Sequence, residues 1–220
     1  MIEAVRAGLA ARANPAKAPD MQAYMKSAMP FLGVQKPARD ALARELFGEP
    51  MGFDAWRDTV LAMWRAATYR EERYMALALA ADRRYRDHRT MAALPLFDEL
   101  IVTGAWWDLV DAVAAGMLGE LLDRDPALGP VLRGWATDAD MWRRRSAIIA
   151  QVRRKARTDL ALLYDCIEPN RGDREFFIRK AIGWALRSYA WVDPDEIVRY
   201  SETHELSALS RREALRNVKP

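Results

Sequence analysis

A chain of 220 residues, 51% of them hydrophobic, can bury a sizeable core as one large domain or two small ones. Its single cysteine, Cys166, excludes an internal disulfide framework, its two histidines, His88 and His204, lie too far apart for metal-ligand spacing, and no apolar run approaches the roughly 18 residues of a membrane span. The net charge of +3 is unevenly spread, with 16 basic and 18 acidic side chains in residues 1–130 and 18 and 13 in residues 131–220.

From the amino terminus, residues 1–12 carry Glu3 and Arg6 where an export signal needs its apolar stretch, so the expected compartment is the cytoplasm. Ten methionines and frequent Ala, Leu and Arg favour helix, and the β-branched residues are too scattered to build consecutive strands. Breaks at Asn14-Pro15, Pro30 and residues 48–52 separate an amino-terminal group of helices, residues 21–29, 37–47 and 53–65. Pro37 suits a first helical position, where its missing N–H would be unpaired anyway. From residue 67 the pattern becomes paired. Residues 69–85, 90–103, 107–122, 128–137, 141–154, 158–167, 175–190 and 195–202 read as consecutive antiparallel helices, divided at Asp87, Gly104, Asp125-Pro126, residues 138–140, residues 169–173 and Asp193-Pro194.

These paired helices repeat. An offset of 35 residues aligns Trp107, Trp142 and Phe177, then Val110, Arg145 and Lys180, then Ala112, Ala147 and Ile182. Small residues at matched positions let neighbouring helices approach, as a stack requires. Tetratricopeptide repeats have a similar length, but their Trp-x2-Leu-Gly-x2-Tyr signature is absent, and HEAT-like pairs fit better. The expected fold is all-α: a single repeat domain over residues 1–220, with amino-terminal helices in 1–66 and regular repeats in 67–220, forming an α-solenoid superhelix with a concave groove.

Three consecutive repeats place aromatic and charged groups on equivalent helices. Trp107 and Asp111, four apart, share a helix face, as do Phe177, Lys180, Trp184 and Arg187. Residues 141–157 hold seven basic side chains and no acid. Arginine forks pair with phosphate in a bidentate way, so this stretch reads either as a phosphate contact or as a solvated face answered by distant carboxylates. A tryptophan on such a helix is more often core, and Trp56, Trp64, Trp106 and Trp135 are placed there. Asp111 equally suits an ion pair with a nearby arginine.

The motifs Trp-Trp-Asp-x-Val-Asp at 106–111, Trp-x-x-Arg-x-Ala-Ile at 142–148 and Phe-Phe-Ile-x-Lys-Ala-Ile-Gly-Trp-x-Leu-Arg-x-Tyr at 176–189 resemble the AlkD-like DNA alkylation repair glycosylases. The resemblance runs almost end to end, taking in Tyr24-Met25-Lys26, residues 31–35 and residues 209–214. It implies a HEAT-like superhelix whose concave basic face holds duplex DNA containing alkylated purines. The implied activity is hydrolysis of the N-glycosidic bond of N3-methyladenine and N7-methylguanine, without a base-reading pocket and without metal or cofactor. By position in these motifs it places the catalytic carboxylate on Asp111, the lesion-facing tryptophans on Trp107 and Trp184, and the phosphate-binding arginine on Arg145. Further DNA contacts are implied at Tyr24, Gln35, Lys36, Arg153 and Arg187, with Lys36 standing where the family often has a small polar residue. A monomer is expected, because the groove must stay open. The rival readings are a noncatalytic solenoid binding damaged or branched DNA, and a protein-binding adaptor.

Overall fold

Most runs of favourable helix formers become helix, and fourteen α-helices with no strand are formed among residues 1–218, the part of the chain that the computed structural model describes. Helices α1 (Ile2–Ala10), α2 (Ala18–Met25), α3 (Lys36–Leu46), α4 (Phe53–Arg65) and α5 (Arg70–Ala81) belong to a first compact unit, Met1–His88. A second unit begins at Arg89 and holds α6 (Leu94–Gly104), α7 (Trp107–Ala112), α8 (Gly119–Arg124), α9 (Leu128–Trp135) and α10 (Met141–Ile149). It continues with α11 (Leu160–Ile167), α12 (Phe176–Ala190), α13 (Pro194–Thr203) and α14 (Ala208–Ala214). None of these helices is long and apolar enough to cross a membrane.

The expected division near residue 66 falls inside the first unit, where α5 packs on α4, α3 and α1. The unit's core includes Trp56, Trp64, Val60 and Met75, all nearly or fully buried, so two of the four tryptophans assigned to the core lie here. A buried carboxylate organises its central loop. Glu71, fully inaccessible, accepts from the backbone N–H groups of Leu32, Gly33 and Val34 at 2.9 to 3.1 Å. Gly33 must be glycine: its φ is +79°, and a Cβ there would lie 2.1 Å from the Asn14 carbonyl oxygen. Glu71→Ala strands buried N–H donors at about 1–3 kcal/mol each, so urea denaturation should report a loss of about 3 kcal/mol or more. A loss under about 0.5 kcal/mol would mean that the loop finds other acceptors.

In the second unit the 35-residue period becomes contact. Helices α7, α10 and α12 pack side by side in that order, α9 packs on α11, and α14 closes on α12. The caps are legible residues: Asp140 accepts from the Trp142 and Arg143 N–H groups, and Asp159, Asp193 and Ser207 cap α11, α13 and α14 in the same manner.

Several boundaries differ from the sequence reading for local reasons. Helix α1 forms where only the absence of an export signal was read, burying Val5 and Leu9. Helix α2 starts before residue 21 and stops at Met25, because Lys26 turns left-handed at φ 48°. Helix α10 ends at Ile149 rather than 154, giving way to turns and a short 3-10 segment over Lys155–Arg157. Helix α14, read only as a motif, is capped by Ser207. Between α7 and α8 the chain stays helical but widens into a π-helical segment, Val113–Leu118, starting two residues after Asp111. Such segments recur at functional sites because they rephase a helix without breaking it.

Candidate functional site

Asp111 lies in the last turn of α7, and Arg145 in the middle of α10, the next helix of the ladder. The two form a bidentate pair: Arg145 Nε donates to Asp111 Oδ1 at 2.8 Å and Nη2 to Oδ2 at 2.7 Å. The free edge of the guanidinium is also held, since Nη1 donates to the Phe177 carbonyl oxygen at 2.6 Å, at the start of α12. Three helices are thus tied together through one side chain. Arg145 is 6% exposed and Asp111 18%, so the arginine is enclosed while the carboxylate keeps an edge toward solvent. Burial pushes the Asp111 carboxyl above its ordinary range; the hydrogen bonds and charge of Arg145 oppose the rise, and neighbouring Asp108 adds to it.

An aromatic cluster supports this pair. The Phe177 ring lies 5.2 Å from Trp106 and 5.2 Å from Trp142, and the two indoles are 6.3 Å apart. The Arg145 guanidinium sits 5.9 Å from the Phe177 ring centroid. The period aligned Trp107 with Trp142 and Phe177, but it is Trp106 that packs with them. Trp106 caps α7 in extended geometry, φ −157° and ψ 144°, so its side chain leaves the helical phase. Trp107, four residues before Asp111 and on its helix face, is half-buried and outside that cluster. Trp184 is half-buried too, seven residues beyond Phe177 on α12, about 10 Å along the axis and on the same face. Neither indole has a ring contact or hydrogen bond among the described residues.

The arginine-rich stretch is answered by carboxylates far away in sequence. Arg143 grips Asp98 at 2.7 and 2.8 Å, Arg144 reaches Asp173 at 3.2 Å, and Arg154 and Arg157 share Asp123 at 2.8 and 2.7 Å. With Arg145 on Asp111, five of the seven cations are paired. Only Arg153 and Lys155 make no ion pair among the described residues, and both are exposed. Arg153 lies close to Gly116 of the π-helical segment, where an added Cβ would stand 3.9 Å from its Nη1, and both line a cavity of about 210 Å³. Arg187 is likewise engaged: its Nη1 meets Glu213 Oε2 at 2.5 Å, while Lys180 meets the other oxygen at 3.0 Å. Lys180 first, and Arg187 after it, hold the Glu213 carboxyl below its ordinary range against the opposing effect of burial. Gly183 permits this brace, because a Cβ there would stand 2.4 Å from Glu213 Cβ and 2.9 Å from the Ser210 carbonyl oxygen.

The three candidates in the first unit come together. Tyr24, Gln35 and Lys36 line one cavity of about 200 Å³ with Met21, Phe31 and Tyr74. Tyr24 is 74% exposed on α2, a helix without a buried residue. Gln35 accepts from Lys17 at 2.8 Å, and Lys36 pairs with Asp40 at 2.6 Å. Glu71 sets this geometry from beneath by fixing the loop that leads into α3.

Three participants had no assigned role in the sequence reading: Glu71, Glu213 and the Phe177 carbonyl. Only the ion-pair option for Asp111 had a usable signal, since the 35-residue offset sets Arg145 opposite Val110. A backbone carbonyl has no sequence signature.

The family model described as DNA alkylation repair enzyme matches residues 5–218. Among solved structures, the chain is similar to one described as a predicted DNA alkylation repair enzyme from Enterococcus faecalis, at 30% identity and a TM-score of 0.84. That match covers 94% of this chain and 97% of the other. Among curated proteins, none matches the chain.

Proposed function

Since the chain belongs to the DNA alkylation repair enzyme family, we propose that it is a glycosylase that hydrolyses the N-glycosidic bond of positively charged alkylated purines, N3-methyladenine and N7-methylguanine, in duplex DNA. The observation that carries this reading is the placement of Asp111. Its carboxylate is oriented by two hydrogen bonds from Arg145, yet it remains partly open, with Trp107 on the same helix face.

A purine alkylated at N3 or N7 already carries positive charge and departs with little acid assistance. As the bond breaks, positive charge moves to the sugar, where a fixed carboxylate stabilises it electrostatically. Each Asp111 oxygen spends one lone-pair direction on Arg145 and keeps another to orient the attacking water. The indole faces of Trp107 and Trp184 attract the cationic lesion, worth roughly 0.5–2 kcal/mol each according to desolvation. Arg145, enclosed and held by Asp111 and the Phe177 carbonyl, orients the carboxylate first, and a phosphate beside it must approach the small exposed edge that its guanidinium keeps. Arg153, Arg187, Tyr24, Gln35 and Lys36 position the backbone, and the lesion's own charge and bond lability supply selectivity without a base-reading pocket.

The decisive assay is release of free N7-methylguanine and N3-methyladenine from methylated duplex DNA, resolved by chromatography. Release no faster than in buffer sinks the glycosylase reading. It would favour binding without cutting, for which a structural Asp111–Arg145 pair suffices.

The pH dependence follows from the direction of the Asp111 shift. Catalysis needs the ionised form, so the single-turnover rate falls with acidification through a pKa above the ordinary 3.8. Asp108→Asn removes a like charge and moves that acid limb to lower pH. The stability linkage has the opposite sense: a raised folded-state pKa contributes stability below the unfolded value and loses it as pH rises through the folded one. An acid limb at or below 3.8 would separate the rate from Asp111.

A further inference from the structure

A cavity of about 510 Å³ opens between the α11–α12 and α13–α14 connections, with Arg171, Arg174, Arg179, Glu168, Asp173 and Glu205 in its walls. The walls hold three arginines and three carboxylates, but two of the carboxylates are already answered. Glu168 accepts from Arg171 at 2.7 Å and from the Tyr200 hydroxyl at 2.6 Å. Asp173 is neutralised from outside the cavity by Arg144 at 3.2 Å, and its other oxygen accepts from the Glu175 N–H at 2.8 Å. Arg174 and Arg179 make no side-chain hydrogen bond or ion pair with any described residue, and Arg179 Nε is buried without an acceptor. Two unanswered guanidinium groups therefore face one unpaired, exposed carboxylate, Glu205.

A buried guanidinium N–H without an acceptor is unfavourable, and a planar fork is matched by phosphate oxygens. The volume falls in the range of about 300–1,000 Å³ that accommodates organic ligands, well beyond what an inorganic ion needs. Arg179 is two residues past Phe177, roughly 200° around the helix, so its ligand is not the phosphate beside Arg145.

We propose that this cavity is a second phosphate site, which seats one nucleotide phosphate of a bound DNA strand between Arg174 and Arg179. The proposal rests on the reading that the chain binds duplex DNA, and its test uses undamaged DNA so that it does not depend on base excision. Anisotropy titrations of the full chain with an undamaged duplex across a salt series give the slope of log K against log salt. Arg174→Ala should weaken binding and shrink this slope by less than 1, because Arg179 still answers the phosphate, and the Arg174→Ala, Arg179→Gln double variant, which removes the contact, should shrink it by about 1. Glu205→Gln should tighten binding at low salt. Arg174 is exposed and its variant tests the site alone; a melting curve accompanies every variant of the partly buried Arg179.

A wild-type slope in the double variant overturns the proposal. A different ligand is shown if a free deoxynucleoside monophosphate raises the wild-type melting temperature and not that of Arg174→Ala while the DNA slopes stay equal; that too overturns the strand phosphate. If the slopes shift as stated but no methylated base is ever released, the phosphate site stands and the glycosylase reading falls.

Discussion

Asp111→Asn binds an undamaged duplex with nearly wild-type affinity and releases N7-methylguanine about 10²–10³-fold more slowly in single turnover, the loss typical of removing one preorganised group at a developing charge. The substitution is nearly isosteric, so the shape of the site persists. Its amide oxygen still accepts from one Arg145 N–H, but its NH₂ faces the other donor, and the formal charge opposite the sugar is gone. Some stability is lost as well, because the enclosed Arg145 no longer faces a carboxylate. The assay is therefore run well below the melting temperature of the variant. An undiminished rate there removes Asp111 from the chemistry.

Arg145→Ala has the larger effect on the folded state. It leaves the Asp111 carboxylate, 18% exposed, without its partner and frees the Phe177 carbonyl from its donor. Breaking a buried pair from one side costs about 3–5 kcal/mol, which a denaturant titration reads directly. The same change removes what opposes the burial-driven rise of the Asp111 pKa, so the acid limb of excision moves further up in pH. Arg145→Lys restores the charge but not the fork and recovers the limb only in part. If Arg145→Ala weakens DNA binding while the limb and the stability stay put, the side chain is a phosphate contact alone.

Much of the fold is legible along the chain because helix is a local property. Asp140, Asp159 and Asp193 stand where they cap α10, α11 and α13, and the spacing of apolar residues marks each helix between its breaks. The 35-residue offset goes further. It predicts that equivalent helices are neighbours, and α7, α10 and α12 are. Where it errs, at Trp106 in place of Trp107, the cause is a single extended residue ahead of the helix, which moves one ring out of phase. The π-helical turn after Asp111 is likewise invisible in a period of 3.6, since one wide turn rephases the helix without altering its composition.

Charge was the least legible part. An acid-free run of seven cations invites a reading as a phosphate track, yet Asp98, Asp111, Asp123 and Asp173 neutralise five of them. Each of those carboxylates lies 29 to 45 residues from the arginine it pairs with. The exposed cations left over are Arg153 and Lys155, in the turns and short 3-10 segment that follow α10.

By itself, then, the sequence determined that this protein is helical, where most helices begin, which helices repeat, and which residue types of one family stand at which numbers. Those properties are read from neighbours a few residues apart or from self-similarity at a fixed period. Only the tertiary structure decided that Arg145 faces Asp111 rather than solvent, that Glu213 braces Lys180 and Arg187, and that Glu71 holds the loop beneath Gln35. Partners in hydrogen bonds and ion pairs are chosen by position in space, and the energy of leaving a buried donor or charge unanswered selects them across any distance along the chain.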